Sequence, residues 1–212
     1  MNIDIRNERH EDHRAVEELT REAFWNLYVP GCDEHYLVHI MRNHPDFIPT
    51  LDFVAVLDDK IVGNIMYTKS YVIDRDNNRL ETITFGPVSV LPEYQRKGIG
   101  SALIRHSSDI AHQNGFKAII IEGHPYNYVK HGFKSSIDFS ISDADGRYPF
   151  SLLVLELEKG FFSGAGWRYV RSDAYDIDTK AAEEYDKTFP HKAKEYRYTQ
   201  EDFSISSRAF ME

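Results

Sequence analysis

Between positions 88 and 104 the chain reads Val88-Ser89-Val90-Leu91-Pro92-Glu93-Tyr94-Gln95-Arg96-Lys97-Gly98-Ile99-Gly100-Ser101-Ala102-Leu103-Ile104, a strand-like stretch that passes through glycines into a helix-like one. Such a junction suits an anion. The first turn of a helix presents backbone N–H groups without intrahelical partners, at the positive end of the dipole, and Gly98 and Gly100 would let a phosphate approach that backbone. Arg96, Lys97 and Arg105 supply three positive charges with no acid between positions 95 and 105. An ordinary glycine-started helix with solvated basic residues accounts for the glycines equally well. Two other phosphate motifs are excluded by spacing: Leu103 stands where a dinucleotide fingerprint needs a small residue, and no Gly-x-x-x-x-Gly-Lys-Ser/Thr occurs.

Other reactive residues are sparser in pattern. His35 and His39 lie four apart on a predicted helix, with His44 beyond, but no third ligand of diagnostic spacing joins them, and a solvated helix face is the simpler reading than a metal. His106 falls on the apolar side of its helix, as a hydrogen-bonded core residue would. Cys32 either lines a substrate site or is inert, and covalent chemistry at its thiol would need a base partner that the sequence does not identify.

The elements that must position these residues follow from periodicity. Ile3 and Ile5 alternate with polar residues as in a short strand, and helices are expected from Asp12 to the Val29-Pro30-Gly31 break and over 34–43. Runs at 51–57, 61–73 and 80–90 are rich in β-branched and aromatic residues and separated by turns, which reads as an antiparallel meander. Gly86-Pro87 interrupts the third run, and because proline cannot donate to a ladder, a bulge or a splay is expected there. Positions 98–114 form the clearest helix, with Ile99, Leu103, His106 and Ile110 on one face and Asn114-Gly115 as its cap. A buried strand at 117–122 completes a βαβ unit, followed by a short helix at 126–131 and strands at 133–142 and 150–157. The expected class is α/β, a mixed and mostly antiparallel central sheet flanked by helices, occupying residues 1–158 and followed by a C-terminal extension over 159–212.

Composition narrows the partners. With 25 Lys and Arg against 34 Asp and Glu the net charge is −9, which disfavours nucleic acid and anionic membranes. The apolar runs are strand-sized, far short of the ~20 residues that span a bilayer. A lone cysteine and a charged beginning at residues 1–14 point to a cytoplasmic protein.

On these residues, Leu91-Pro92-x-x-Gln95-x-x-Gly98-Ile99-Gly100-x-x-Leu103 resembles the acyl-CoA signature of the GNAT acetyltransferase superfamily. Tyr128-Val129-Lys130-His131-Gly132-Phe133 is similar to the Tyr-x-x-x-Gly-Phe segment after that superfamily's fifth strand. The resemblance covers about residues 3–157 and implies acetyl-CoA as cosubstrate, with no metal. It implies that the backbone around Gln95, Arg96, Lys97, Gly98, Gly100 and Ser101 wraps the diphosphate. It further implies that Val88, Ser89 and Val90 pair with the pantetheine arm, that a backbone N–H in that stretch faces the thioester oxygen, and that Tyr128 acts as general acid towards the sulfur, with Tyr126 as the neighbouring alternative.

The implied reaction is direct attack of a primary amine on acetyl-CoA. A lysine-like amine is only about 0.04% neutral at pH 7, a penalty of roughly 4.6 kcal/mol, so a base or water chain is needed. Glu81, Glu122 and His124 are the candidates, and motif matching does not choose among them. The negative net charge favours a cationic small-molecule acceptor, and Trp25, Tyr28 and Tyr36 are expected in its wall. Two other functions stay open: an idle acyl-CoA-binding regulatory module, and transfer onto a protein amine. The extension serves either as an acceptor-site lid or as a contact in a homodimer.

Overall fold

The computed structural model describes residues 3–164 and 166–212. In chain order the elements begin with β1 (Asp4–Asn7), α1 (His13–Phe24), α2 (Glu34–Met41), β2 (Phe53–Leu57), β3 (Lys60–Ile73), β4 (Arg79–Val90), α3 (Ile99–Gln113), β5 (Ala118–Glu122) and α4 (Pro125–Tyr128). They continue with β6 (Lys134–Ser135), β7 (Ile141–Ser142), β8 (Tyr148–Pro149), β9 (Leu152–Glu156), β10 (Trp167–Val170), α5 (Thr179–Asp186), α6 (Tyr198–Ser206) and β11 (Phe210–Met211). The main sheet runs β1-β2-β3-β4-β5-β9-β6, antiparallel along that order except where β5 lies parallel to β4, and off that order β10 pairs in parallel with β7. The meander and the βαβ unit expected from periodicity are therefore both present.

Two features of β4 open the sheet. Its register with β3 slips between Ile65 opposite Val88 and Tyr67 opposite Phe85, so Gly86 and Pro87 together face Met66 in a bulge. Its pairing with β5 is confined to Ile83 opposite Ile119. Beyond Ile83 the two strands part, which leaves one edge of β4 without a strand partner.

Helix α3 is set against the sheet at short range. A Cβ on Gly63 of β3 would lie 3.0 Å from Leu103 and 3.1 Å from Ile99, so glycine there allows the close approach that buries both side chains. Each such burial stabilises by about 1.5–3 kcal/mol. Helix α1 is tied to β4 by the hydroxyls of Thr20 and Ser89, 3.0 Å apart in the interior.

The expected strand over 133–142 does not form. Only Lys134–Ser135 and Ile141–Ser142 are extended, because a 3-10 turn at Ser136–Phe139 and left-handed Ser140 (φ 53) lie between them, turn chemistry that a serine- and aspartate-containing run favours. The run predicted from residue 51 starts two residues later, since Pro49–Leu51 forms its own turn.

The stretch after Gly160 is woven into the same body. β10 pairs antiparallel with the far half of β3, and β11 pairs with β8. Helix α5 lies on α1 and α2: Tyr185 donates to Glu17 at 2.7 Å, and Asp186 meets buried Arg21 at 2.6 Å. Glu17 also accepts from Arg42, which pairs with Glu8, so one buried ionic network joins the helical layer to the end of β1. Among the described residues, no helix is long and apolar enough to cross a membrane.

Candidate active site

The turn into α3 takes its shape from two left-handed residues, Arg96 (φ 59) and Gly98 (φ 87). Consecutive amides in such a turn form an anion-binding concavity. Gly98 is the N-cap but no side chain caps the helix, and the first intrahelical bond is donated by Ala102 to Gly98, which leaves the N–H groups of Ile99, Gly100 and Ser101 without intrahelical partners. Gly98 is there for its backbone angle, since a Cβ would meet nothing within 4 Å; Gly100 faces Val90 at 3.7 Å. The Gln95 side chain donates to Val90 at 3.0 Å and fixes the start of the turn.

A cavity of about 380 Å³ begins at this turn and runs along the open edge of β4. Val88, Val90, Gln95, Gly100, Ser101 and Tyr128 line it. Arg96, Lys97 and Gly98 are exposed on the turn outside the lining, with Lys97 5.2 Å from the Tyr94 ring. Ser89 is turned into the interior towards Thr20, so any contact it makes with a ligand is through its backbone. Ser101 sits 3.3 Å from His131, whose pKa is lowered by burial.

Tyr128 reaches the cavity from α4 and packs on Phe85 and Phe133, each with ring centroids 5.9 Å away. Its ring lies so close to Gly123 that a Cβ there would be 2.5 Å from Cε2. Burial pushes the phenol well above its ordinary value, so it stays protonated at working pH. Tyr126 is 81% exposed and lies outside the lining of this cavity.

Two further cavities, of about 480 and 610 Å³, adjoin the first, and Tyr28, Glu34 and Glu122 border all three. Burial raises the pKa of Glu122, against the opposing charge of Arg171. Burial carries Glu34 up to about 7, although its own N–H and that of Asp33 pull the other way. His124 borders the first and the largest cavity, and its side chain caps α4 by accepting from Tyr126. Glu81 is not brought to the site: it is exposed near the start of β4, opposite Tyr71, and lines none of these cavities.

The acceptor-side expectations are corrected in part. Tyr28 lines all three of these cavities, whereas Trp25 is buried and donates to Ala193, and Tyr36 packs on His39 and Tyr185 outside the lining. Tyr175 comes from the extension, donates to Gly86 at 3.4 Å and closes one wall. Phe203 of α6 stacks on Tyr28 with centroids 4.7 Å apart. No sequence signal marked Glu34, Gly123, Tyr175 or Phe203, since each acquires its position through a distant part of the chain.

Among the described residues, His35, His39 and His44 do not converge on one set of possible ligands; His44 lies instead with Asp46 and Asp173. His35 is fully buried instead of solvated, with Cys32 3.5 Å from one ring nitrogen and Asp186 3.2 Å from the other. That order of residues looks nucleophilic, but Cys32 is buried away from the cavities, burial pushes its thiol up, and His35 is lowered to about 4. His39 bonds Glu17 at 3.0 Å, His44 lies 3.0 Å from Asp173, and half-buried His106 packs edge-on to Phe53.

With a phosphate-type turn, parted strands and a tyrosine between them, the chain belongs to the GNAT acetyltransferase family, whose model matches residues 10–134. It is similar to the uncharacterized N-acetyltransferase YjhQ of Escherichia coli K12, at 33% identity over 86 residues that make up 41% of this chain and 47% of that relative. The match thus spans about half the length of YjhQ. Among solved structures it shares its fold with YhbS of Escherichia coli in complex with CoA, at a TM-score of 0.70 and 19% identity, covering 84% of this chain and 93% of that one. It shares it likewise with a GNAT family acetyltransferase from Brucella melitensis in complex with acetyl-CoA, at a TM-score of 0.65 and 24% identity, covering 82% and 99% of the two chains.

Proposed function

We propose that the protein transfers the acetyl group of acetyl-CoA to a primary amine by direct attack, without a covalent enzyme intermediate. The observation that carries this reading is one continuous cavity from the uncapped first turn of α3, along the open edge of β4, to Tyr128 and Glu122. In this reading the diphosphate takes the amides near residues 98–101, and the pantetheine arm runs along Val88 to Val90. A preorganised backbone N–H facing the thioester oxygen is worth about 3 kcal/mol as negative charge develops there. Tyr128 donates a hydrogen bond to the departing sulfur. The desolvation that raises the phenol raises a thiol in the same pocket too, so their proton affinities stay near each other.

Cys32 serves no acyl relay in this scheme, because its buried thiol stays protonated and faces away from the cavity. The extension's residues Tyr175 and Phe203 in the cavity walls favour an acceptor-site role for 159–212 over an oligomer contact. The test is thiol release from acetyl-CoA with a panel of amines. Amine-dependent release supports acyl transfer; tight acetyl-CoA binding with no release across polyamines, amino sugars, amino acids and peptides would leave only a binding module.

A further inference from the structure

We propose that Glu34 takes the proton from the acceptor amine, and that the acceptor is a primary alkylammonium whose stem lies against the paired rings of Tyr28 and Phe203. This assignment rests on the acyl-transfer reading above. Its basis is the junction of cavities. Tyr128, Gly100 and Ser101 border only the 380 Å³ donor slot, whereas Glu34 and Glu122 also border the two cavities beyond it. An amine that reaches the acyl carbon from those cavities passes the two carboxylates, one at the end of β5 and one at the start of α2.

The lining of the largest cavity sets the acceptor class. Among the described residues it contains the acids Glu34, Glu122 and Asp202, the aromatics Tyr28, Tyr126, Phe150 and Phe203, and no Lys or Arg. An ammonium is attracted by carboxylates and by ring faces, and a hydrocarbon stem is held by the same rings. An acceptor bearing its own carboxylate beside the amine would face three like charges. The other branch does hold Arg171, but that guanidinium is paired with Asp176 at 2.6 Å.

Two features single out Glu34 from Glu122: a hydrogen bond that fixes its carboxylate and a proton affinity near neutrality. The Asp33 N–H holds its carboxylate at 3.1 Å. The titratable groups that share cavity walls with it are Asp33 beside it, Tyr28 from the α1–α2 connection, Glu122, His124 and Tyr126 around the end of β5, Tyr128, Lys130 and His131 from the α4 segment, Tyr169, Arg171 and Tyr175 from the extension, and Asp202 on α6. Burial brings it to about 7, where about half of the carboxyl is ionised near neutral pH and able to accept a proton. The same desolvation lowers an incoming ammonium, so the two affinities converge.

The protons balance. The ammonium gives one proton to Glu34, which passes it to solvent. The nitrogen lone pair then forms the C–N bond, the C–S bond breaks, Tyr128 passes its proton to the departing sulfur, and the second amine proton restores the one that Tyr128 gave up.

The test compares wild type, Glu34→Gln and Glu34→Asp by thiol release from acetyl-CoA, with a linear alkylamine and with glycine, between pH 6 and 9, alongside acetyl-CoA binding by calorimetry. Wild-type kcat/KM should rise with pH through about 7. It should also favour the alkylamine over glycine by about tenfold or more. Glu34→Gln should lose about 10²-fold in kcat and lose that rise, with acetyl-CoA affinity unchanged, and Glu34→Asp should retain the rise. Wild-type kcat and the same rise in Glu34→Gln would overturn the role of Glu34 alone, and preference for glycine would overturn the acceptor class. A wild type that binds acetyl-CoA but turns over no amine would overturn the acyl-transfer reading and this assignment with it.

Discussion

Replacing Gly123 by alanine moves Tyr128 without touching it chemically. Gly123 has no left-handed backbone angle to protect, so alanine is compatible with its conformation and the effect comes from the added methyl alone. That methyl would sit 2.5 Å from Cε2 of Tyr128 and 3.2 Å from Cδ2 and Cζ. Ordinary carbon contacts begin near ~3.5 Å, so the ring must retreat by about 1 Å. Phe85 and Phe133 on its other sides limit where it can go. A displacement of that size at a reacting group costs up to about 10²-fold in rate, or about 2.7 kcal/mol. The assay is kcat for thiol release, with acetyl-CoA affinity measured in parallel, because the anion-binding turn lies elsewhere and should keep its affinity. Overpacking also destabilises by about 1–3 kcal/mol, so rates belong well below the melting temperature of each variant. If both act through the same hydroxyl, Gly123→Ala combined with Tyr128→Phe should be no slower than the slower single variant. Native kcat in Gly123→Ala, or fully multiplicative losses in the double variant, would refute the positioning argument.

Three other outcomes are expected. Gly98→Val forces a β-branched residue to φ 87, at about 1–3 kcal/mol, and should raise KM for acetyl-CoA at least tenfold while changing kcat little; unchanged KM would remove the turn from cofactor binding. Asp186→Ala leaves the buried Arg21 guanidinium unpaired and should destabilise by about 3 kcal/mol in denaturant unfolding, a loss under 1 kcal/mol contradicting the role of α5 as a clamp. Asp52 is held protonated by burial and by the neighbouring Glu8 carboxylate, so the native state binds more protons than the unfolded chain, whose aspartate titrates near ~3.9. The stability this adds is complete below that value and is lost as pH rises through the raised one. Asp52→Asn should therefore flatten the decline in melting temperature between pH 6 and 9, and an unchanged slope would place the titration elsewhere.

The donor half of the site was legible because it is local. The glycines, the uncapped first turn and the basic flank all lie within about a dozen consecutive residues, and the interruption at Gly86-Pro87 foretold the bulge. Strand periodicity likewise predicted the meander and the βαβ unit. The acceptor half was not legible because its walls come from α1, α2, β5 and the extension at once. Glu34 read as an ordinary acid in a helical first turn, and nothing local distinguished buried Trp25 from cavity-lining Tyr28. Glu81 and Glu122 looked equivalent on adjacent strands, yet only Glu122 lines the cavities. His35 read as a solvated histidine because the residue that covers it, Asp186, lies 151 positions away in a segment the sequence marks only as an extension.

The most direct measurement is a crystal structure of the protein with CoA bound. Diphosphate oxygens within about 3 Å of the N–H groups of residues 99–101, with the thiol beside Tyr128, are the expected result. Diphosphate density at any other place, with the turn at Gly98 making no contact to the cofactor, would contradict the assignment of the donor site.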